Sequence, residues 1–103
     1  MPTTGAIIES VDENDVLTIY IKGALRFKAY ADFKEAYQGV SKDYTFIVDL
    51  GEVEMVDSSG LGMLMTLREY AGGESANITL ANCRPVIKSI LISARFQDLF
   101  KMH

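Results

Sequence analysis

The sequence predicts an α/β fold in a single domain over residues 1–103, with a mostly parallel sheet, an antiparallel edge hairpin and helices packed against it. Three observations carry this. Two β-rich runs near the N-terminus are separated by one short polar break. The rest of the chain alternates stretches of strand period with stretches of helix period. A length of 103 residues, with 49% hydrophobic and 23% charged content, suits one hydrophobic core.

Taken in order, Ala6 to Val11 and Val16 to Lys22 read as strands. Leu17, Ile19 and Ile21 alternate with Thr18 and Tyr20, as in a strand with one face more buried. Asp12-Glu13-Asn14-Asp15 between the runs reads as a hairpin turn, and Gly23 as the end of the second strand. The period then changes. Ala29, Phe33, Ala36, Tyr37 and Val40 recur at helical spacing over residues 28–39, with Gly39 as the stop. Tyr30, Phe33 and Tyr37 are expected to pack that helix on the sheet. Phe46-Ile47-Val48-Asp49-Leu50 is nearly continuous in apolar character, which predicts a central strand covered on both faces.

A helix is expected from Ser58 to Gly72-Gly73, then a strand over Asn77 to Ala81. Strand, helix and strand in that order predict a right-handed crossover between parallel strands. Pro85 suits the first position of a final helix, whose buried side would be Val86, Ile87, Ile90, Leu91 and Ala94. Phe96, Leu99 and Phe100 are expected to close the core as a last short helix.

The junction between the central strand and the second helix is the most informative stretch, Val56-Asp57-Ser58-Ser59-Gly60-Leu61-Gly62. Asp and Ser favour the N-cap because their oxygens accept the helix's unpaired N–H groups. Two glycines in the opening turns are costly, about 1 kcal/mol each relative to Ala in a helix interior. A small, unobstructed surface around a serine is one reason to keep them. The helical phase puts Gly60, Met63, Leu64, Leu67, Tyr70 and Ala71 on one apolar stripe facing the sheet. Ser58, Leu61, Gly62, Met65 and Glu69 fall opposite, and Ser59 points sideways near Thr66. Ser58 is therefore the serine offered outward, although a plain helix cap accounts for the same composition.

Several chemistries lack their parts. A nucleophile elbow has Gly where this chain has Val56, and the only histidine is His103, at a terminus expected to fray. No P-loop or dinucleotide fingerprint occurs, and one Cys with one His does not make a zinc site. No enzyme activity, metal or cofactor is expected. Cys83 reads as a small packed residue, and Met55, Met63 and Met102 as gap-fillers, with Met65 turned outward. The net charge of −4 disfavours nucleic acid, whose binding rests on Lys and Arg. No apolar run is long enough for a membrane span, residues 1–5 show no signal-peptide pattern, and a lone cysteine fits a reducing compartment. A cytoplasmic protein with a protein partner is expected.

With the edge hairpin ending in Lys22-Gly23-Ala24-Leu25, the strand Ile47-Val48-Asp49-Leu50, the Asp57-Ser58-Ser59-Gly60-Leu61-Gly62 string and Asn82-Cys83-Arg84-Pro85-Val86, the chain resembles a STAS domain of the anti-sigma-factor-antagonist type. The resemblance covers essentially its whole length. It implies that Ser58 is phosphorylated by a serine kinase and dephosphorylated by a phosphatase, and that the unphosphorylated form binds an anti-sigma factor or related regulator. It implies a partner surface of Asp57, Ser58, Ser59, Gly60, Leu61, Gly62, Met65 and the position after the second strand. Family members commonly carry an acidic residue there, and here it is Arg26, which points to a different client. Relatives regulating motility or biofilm formation fit the general appearance better than a sporulation antagonist. The alternative within the family is a sensor binding a nucleotide or other small molecule in a pocket beside the Ser58 turn.

Overall fold

Asn14 and Asp15 fold the first two strands against each other. Both have left-handed φ, 54° and 61°, as a two-residue hairpin turn matched to strand twist requires, and Asn and Asp tolerate it best among non-glycine residues. In the computed structural model, which describes residues 6–103, β1 (Ile7–Glu13) and β2 (Val16–Leu25) pair antiparallel with Glu13 opposite Val16. The expectation about a signal peptide falls on residues outside this range.

The chain continues through a 3-10 turn (Phe27–Ala29) into α1 (Tyr30–Tyr37), then β3 (Thr45–Val56), α2 (Ser58–Tyr70), β4 (Ile78–Ala81), α3 (Pro85–Ser93) and β5 (Lys101–Met102). The sheet order is β1-β2-β3-β4-β5, with every pair after the hairpin parallel. The expected fold class and edge hairpin are thus observed.

Differences lie in extent and sidedness. β2 does not end at Gly23. Gly23, at φ 102°, sits in an irregular stretch of the β2–β3 ladder, and pairing resumes to Leu25 opposite Val56. β3 likewise runs past Leu50 to Val56. It is not covered on both faces. Phe46, Val48, Leu50 and Val53 are buried in the one core cluster shared with α1, α2 and α3, whereas Ile47 and Asp49 are only half-buried. Apart from Ala81, the buried positions of β2, β3 and β4 fall on one face. Tyr20 stays exposed on the other, where its register partners are Glu9 and Asp49.

The helices deviate in detail. Phe33 and Tyr37 pack inward as expected, stacked edge to face, but Tyr30 is exposed. Tyr70, expected on the buried stripe, lies at its border: its ring meets Tyr37 and its hydroxyl donates to the Val40 carbonyl. On α3, Ile87 and Leu91 are buried as expected and Ile90 and Ala94 half-buried, but Val86 is 61% exposed. After the 3-10 turn Phe96–Asp98 the chain forms β5, a strand too short to show a period. His103 does not fray: its N–H donates to the Leu80 carbonyl (3.1 Å) and its carbonyl accepts from Asn82 (2.8 Å).

Candidate functional site

β2 and β3 end side by side, and this sets the geometry of the Ser58 turn. The Leu25 carbonyl accepts from Asp57 N–H at 3.4 Å, tying the strand end to the helix cap. Asp57 has an extended backbone (φ −102°, ψ −175°), and its Oδ1 accepts from Gly60 N–H at 2.9 Å. That bond satisfies one of the orphan N–H groups at the start of α2, as an N-cap aspartate should.

The two glycines do different things. A Cβ on Gly60 would overlap the Leu25 carbonyl oxygen and stand 3.0 Å from Val56 Cγ1. Gly60 is therefore required by the close approach of α2 to the strand end. It is buried beneath the turn, whereas Ser58, Ser59 and Gly62 are exposed. Around Gly62 no heavy atom lies within 4 Å of where a Cβ would stand. Its absent side chain leaves an open surface.

Ser58 and Ser59 are both exposed, and neither hydroxyl has a hydrogen-bond partner among the described residues. Ser58 is the first residue of α2, and the outward phase expected for it holds. On the same side, Gly62 is exposed, but Leu61 and Met65 are half-buried and pack against the margin of the core. The outward reading of Met65 is corrected accordingly: its side chain lies between the core stripe and the surface. Asp57 is half-buried, with one oxygen occupied by the cap bond.

Arg26 is also half-buried, and not freely displayed. Its backbone carbonyl accepts from Ala29 N–H at 2.8 Å, starting the 3-10 turn. Its Nε is screened from solvent and has no hydrogen-bond partner among the described residues.

Two residues at this end of the sheet were missed. Phe27 is 74% exposed, in a 3-10 turn that abuts α2, and Met55, expected to fill a gap, is 46% exposed near the end of β3. The signal for Phe27 was its position outside the α1 stripe, directly after the strand end. Met63 fills the core as expected, and Met102 is half-buried.

Cys83 is half-buried, its Sγ 3.8 Å from the Leu80 carbonyl, and burial pushes its thiol pKa up. The packed reading of Cys83 stands. Two shallow clefts lie elsewhere. One, between β1 and α1, is lined by Ile8, Ser10, Asp32, Glu35 and Ala36. The other, of about 280 Å³, lies around Tyr44, Gly72 and Asn77. Neither is lined by a residue of the Ser58 turn.

The family model described as "Mlab, STAS domain" matches residues 9–101. A STAS-domain containing protein of Pseudomonas aeruginosa is 47% identical over 87 residues, covering 84% of this chain and 86% of the relative. Among solved structures, an anti-sigma factor antagonist from Mycobacterium paratuberculosis superposes with TM-score 0.83 at 17% identity, over 99% of this chain and 88% of that one. The anti-sigma factor antagonist SpoIIAA in its unphosphorylated form gives 0.69 at 20% identity, over 96% and 87%. The phosphorylated form of SpoIIAA, from Bacillus, gives 0.65 at 17% identity, over 96% and 91%. At these identities the structural likeness is one of fold.

Proposed function

The chain belongs to the STAS-domain family, and from that premise we propose that it is a phosphorylation-switched protein-binding module. Unmodified, it docks a regulatory protein of the anti-sigma type through the surface around Ser58. A serine kinase transfers a phosphoryl group from ATP to Ser58 Oγ, releasing ADP and the hydroxyl proton, and the partner leaves. A phosphatase restores the hydroxyl by hydrolysis. In this reading the chain is a substrate of enzymes and not itself one, and it works in the cytoplasm. No helix among the described residues is long and apolar enough to cross a membrane.

The observation that carries the proposal is the state of Ser58: an exposed, unengaged hydroxyl on the first residue of a helix whose entry is locked by the Asp57 cap and the Leu25 contact. A kinase needs an accessible hydroxyl, and a switch needs a rigid base. A phosphate there adds about −1.5 to −2 charges, which the helix N-terminus tolerates. The fold survives while the docking face changes in bulk and charge. The solved phosphorylated and unphosphorylated forms of SpoIIAA, a neighbour in fold, lend support.

The test maps phosphopeptides from cells and compares the proteins captured by Ser58→Ala and Ser58→Asp baits. We expect phosphate on Ser58 and a regulator recovered by the alanine bait alone. Phosphate confined to Ser59, or equal recovery by both baits, overturns the reading.

A further inference from the structure

We propose that Arg26 is the intramolecular receptor for phosphate on Ser58. This inference rests on the switch reading and adds the group that holds the modified state. Arg26 directly follows Leu25, whose carbonyl accepts from Asp57 N–H, and Asp57 directly precedes Ser58. The backbone of Arg26 therefore lies alongside the start of α2, one residue beyond the contact that holds the serine turn.

Among the described residues, nothing in the unmodified protein pairs with Arg26. Its side chain makes no hydrogen bond or salt bridge among the described residues, although the residue is half-buried and its Nε is screened from water. A guanidinium carries five donors, and buried polar groups are nearly always paired. An orphan donor on the residue after the strand end that holds the serine turn lacks a counterpart that phosphate on Ser58 would supply. A phosphoserine supplies three acceptor oxygens and a near-double negative charge, which guanidinium matches in geometry.

The other charged groups on the elements meeting here do not provide that counterpart. Asp57 has Oδ1 committed to Gly60 N–H, and neither Asp57 nor the exposed Glu54 of β3 comes within ion-pair distance of Arg26. Lys28, on the 3-10 turn, carries the same sign as Arg26. Phosphorylation thus acts twice: it adds an anion to the docking face and engages the half-buried guanidinium of Arg26.

The experiment installs phosphoserine at position 58 during synthesis, in the wild-type chain and in Arg26→Gln and Arg26→Lys. The second ionisation of the phosphate is followed by phosphorus NMR against pH. The wild type should titrate about one unit lower than Arg26→Gln, as for an anion beside a guanidinium, with Arg26→Lys between them. The Arg26 Nε–H resonance should move on modification. The sign follows from linkage: a phosphate pKa lowered on folding stabilises the folded state above about pH 6, its ordinary value, and this is lost as pH falls through the folded value. Phosphorylated wild type should therefore melt above phosphorylated Arg26→Gln at pH 8, with the gap closing toward pH 5.

Equal titration in wild type and Arg26→Gln overturns the proposal. Should Arg26→Gln not fold, an Arg26 Nε–H resonance in the wild type unmoved by phosphate overturns it instead. Because the phosphate is built in, neither result depends on a kinase or partner. Phosphopeptide mapping and the paired baits judge the switch reading separately.

Discussion

Gly60 and Gly62 stand two residues apart on α2 and should respond oppositely to the same change. Alanine at Gly60 drives a methyl into the Leu25 carbonyl, where backbone must yield, so Gly60→Ala should cost about 3 kcal/mol, the upper end for overpacking. Alanine at Gly62 meets nothing within 4 Å and removes a helix-interior glycine, so Gly62→Ala should stabilise by up to about 1 kcal/mol. Urea melts of both variants check the pair; destabilisation by Gly62→Ala would show contacts at that face in the free protein. Cys83 offers a second test at this scale. Burial raises its pKa, and only the thiolate reacts. Iodoacetamide at pH 8 should label the native protein more slowly than the urea-unfolded chain, with native labelling accelerating only at higher pH. Equal rates in the two states would contradict a packed thiol.

At the scale of an element, α2 serves two neighbours at once. Met63, Leu64 and Leu67 bury against the sheet, Ser58 and Gly62 face outward, and Leu61 and Met65 lie between. Leu64→Ala should cost roughly 2–5 kcal/mol by opening a cavity. Met65→Lys should cost less, about 1 kcal/mol, because a lysine stem covers apolar surface while its ammonium reaches water. Thermal melts with a pull-down separate stability from docking. A Met65→Lys protein that folds but no longer captures the regulator places the face here. Normal capture moves the face elsewhere, and a melt as early as that of Leu64→Ala makes Met65 core.

At the scale of the molecule, a sheet covered on one face depends on its margins. β5 covers β4 through His103 N–H to Leu80 and Asn82 N–H to His103, with Lys101 Nζ 3.0 Å from Asn77 Oδ1. α2 is bound to the same segment by Arg68 Nε donating to the Leu99 carbonyl at 3.3 Å. Removing residues 101–103 breaks the whole β4–β5 ladder, the two bonds of His103 included, and removes half-buried Met102, a loss of about 2–4 kcal/mol. Hydrogen exchange should then show the Asn82 amide unprotected and β4 exchanging faster. Unchanged stability would mean that β5 frays independently of the core.

The sequence by itself determined the types and order of the elements up to α3, a hairpin within Asp12–Asp15 (which pairing narrows to Asn14-Asp15, with Asp12 and Glu13 in β1), the cap at Asp57 and the outward phase of Ser58. These follow from periodicity, turn chemistry and capping, which act between residues close along the chain. Tertiary structure alone decided which face of β3 is covered, because an apolar run reads the same whether one layer or two lie over it. It carried β2 and β3 past Gly23 and Leu50, where cross-strand pairing outweighed local breaks, and made a strand of Lys101–Met102, too short for any period to mark. It drew Leu61 and Met65 toward the core from a face that phase alone turns outward. It required glycine at position 60 and left Arg26 unpaired, since both depend on the end of β2 meeting the start of α2 more than thirty residues later. Local forces choose an element; only contacts between distant segments decide what it touches.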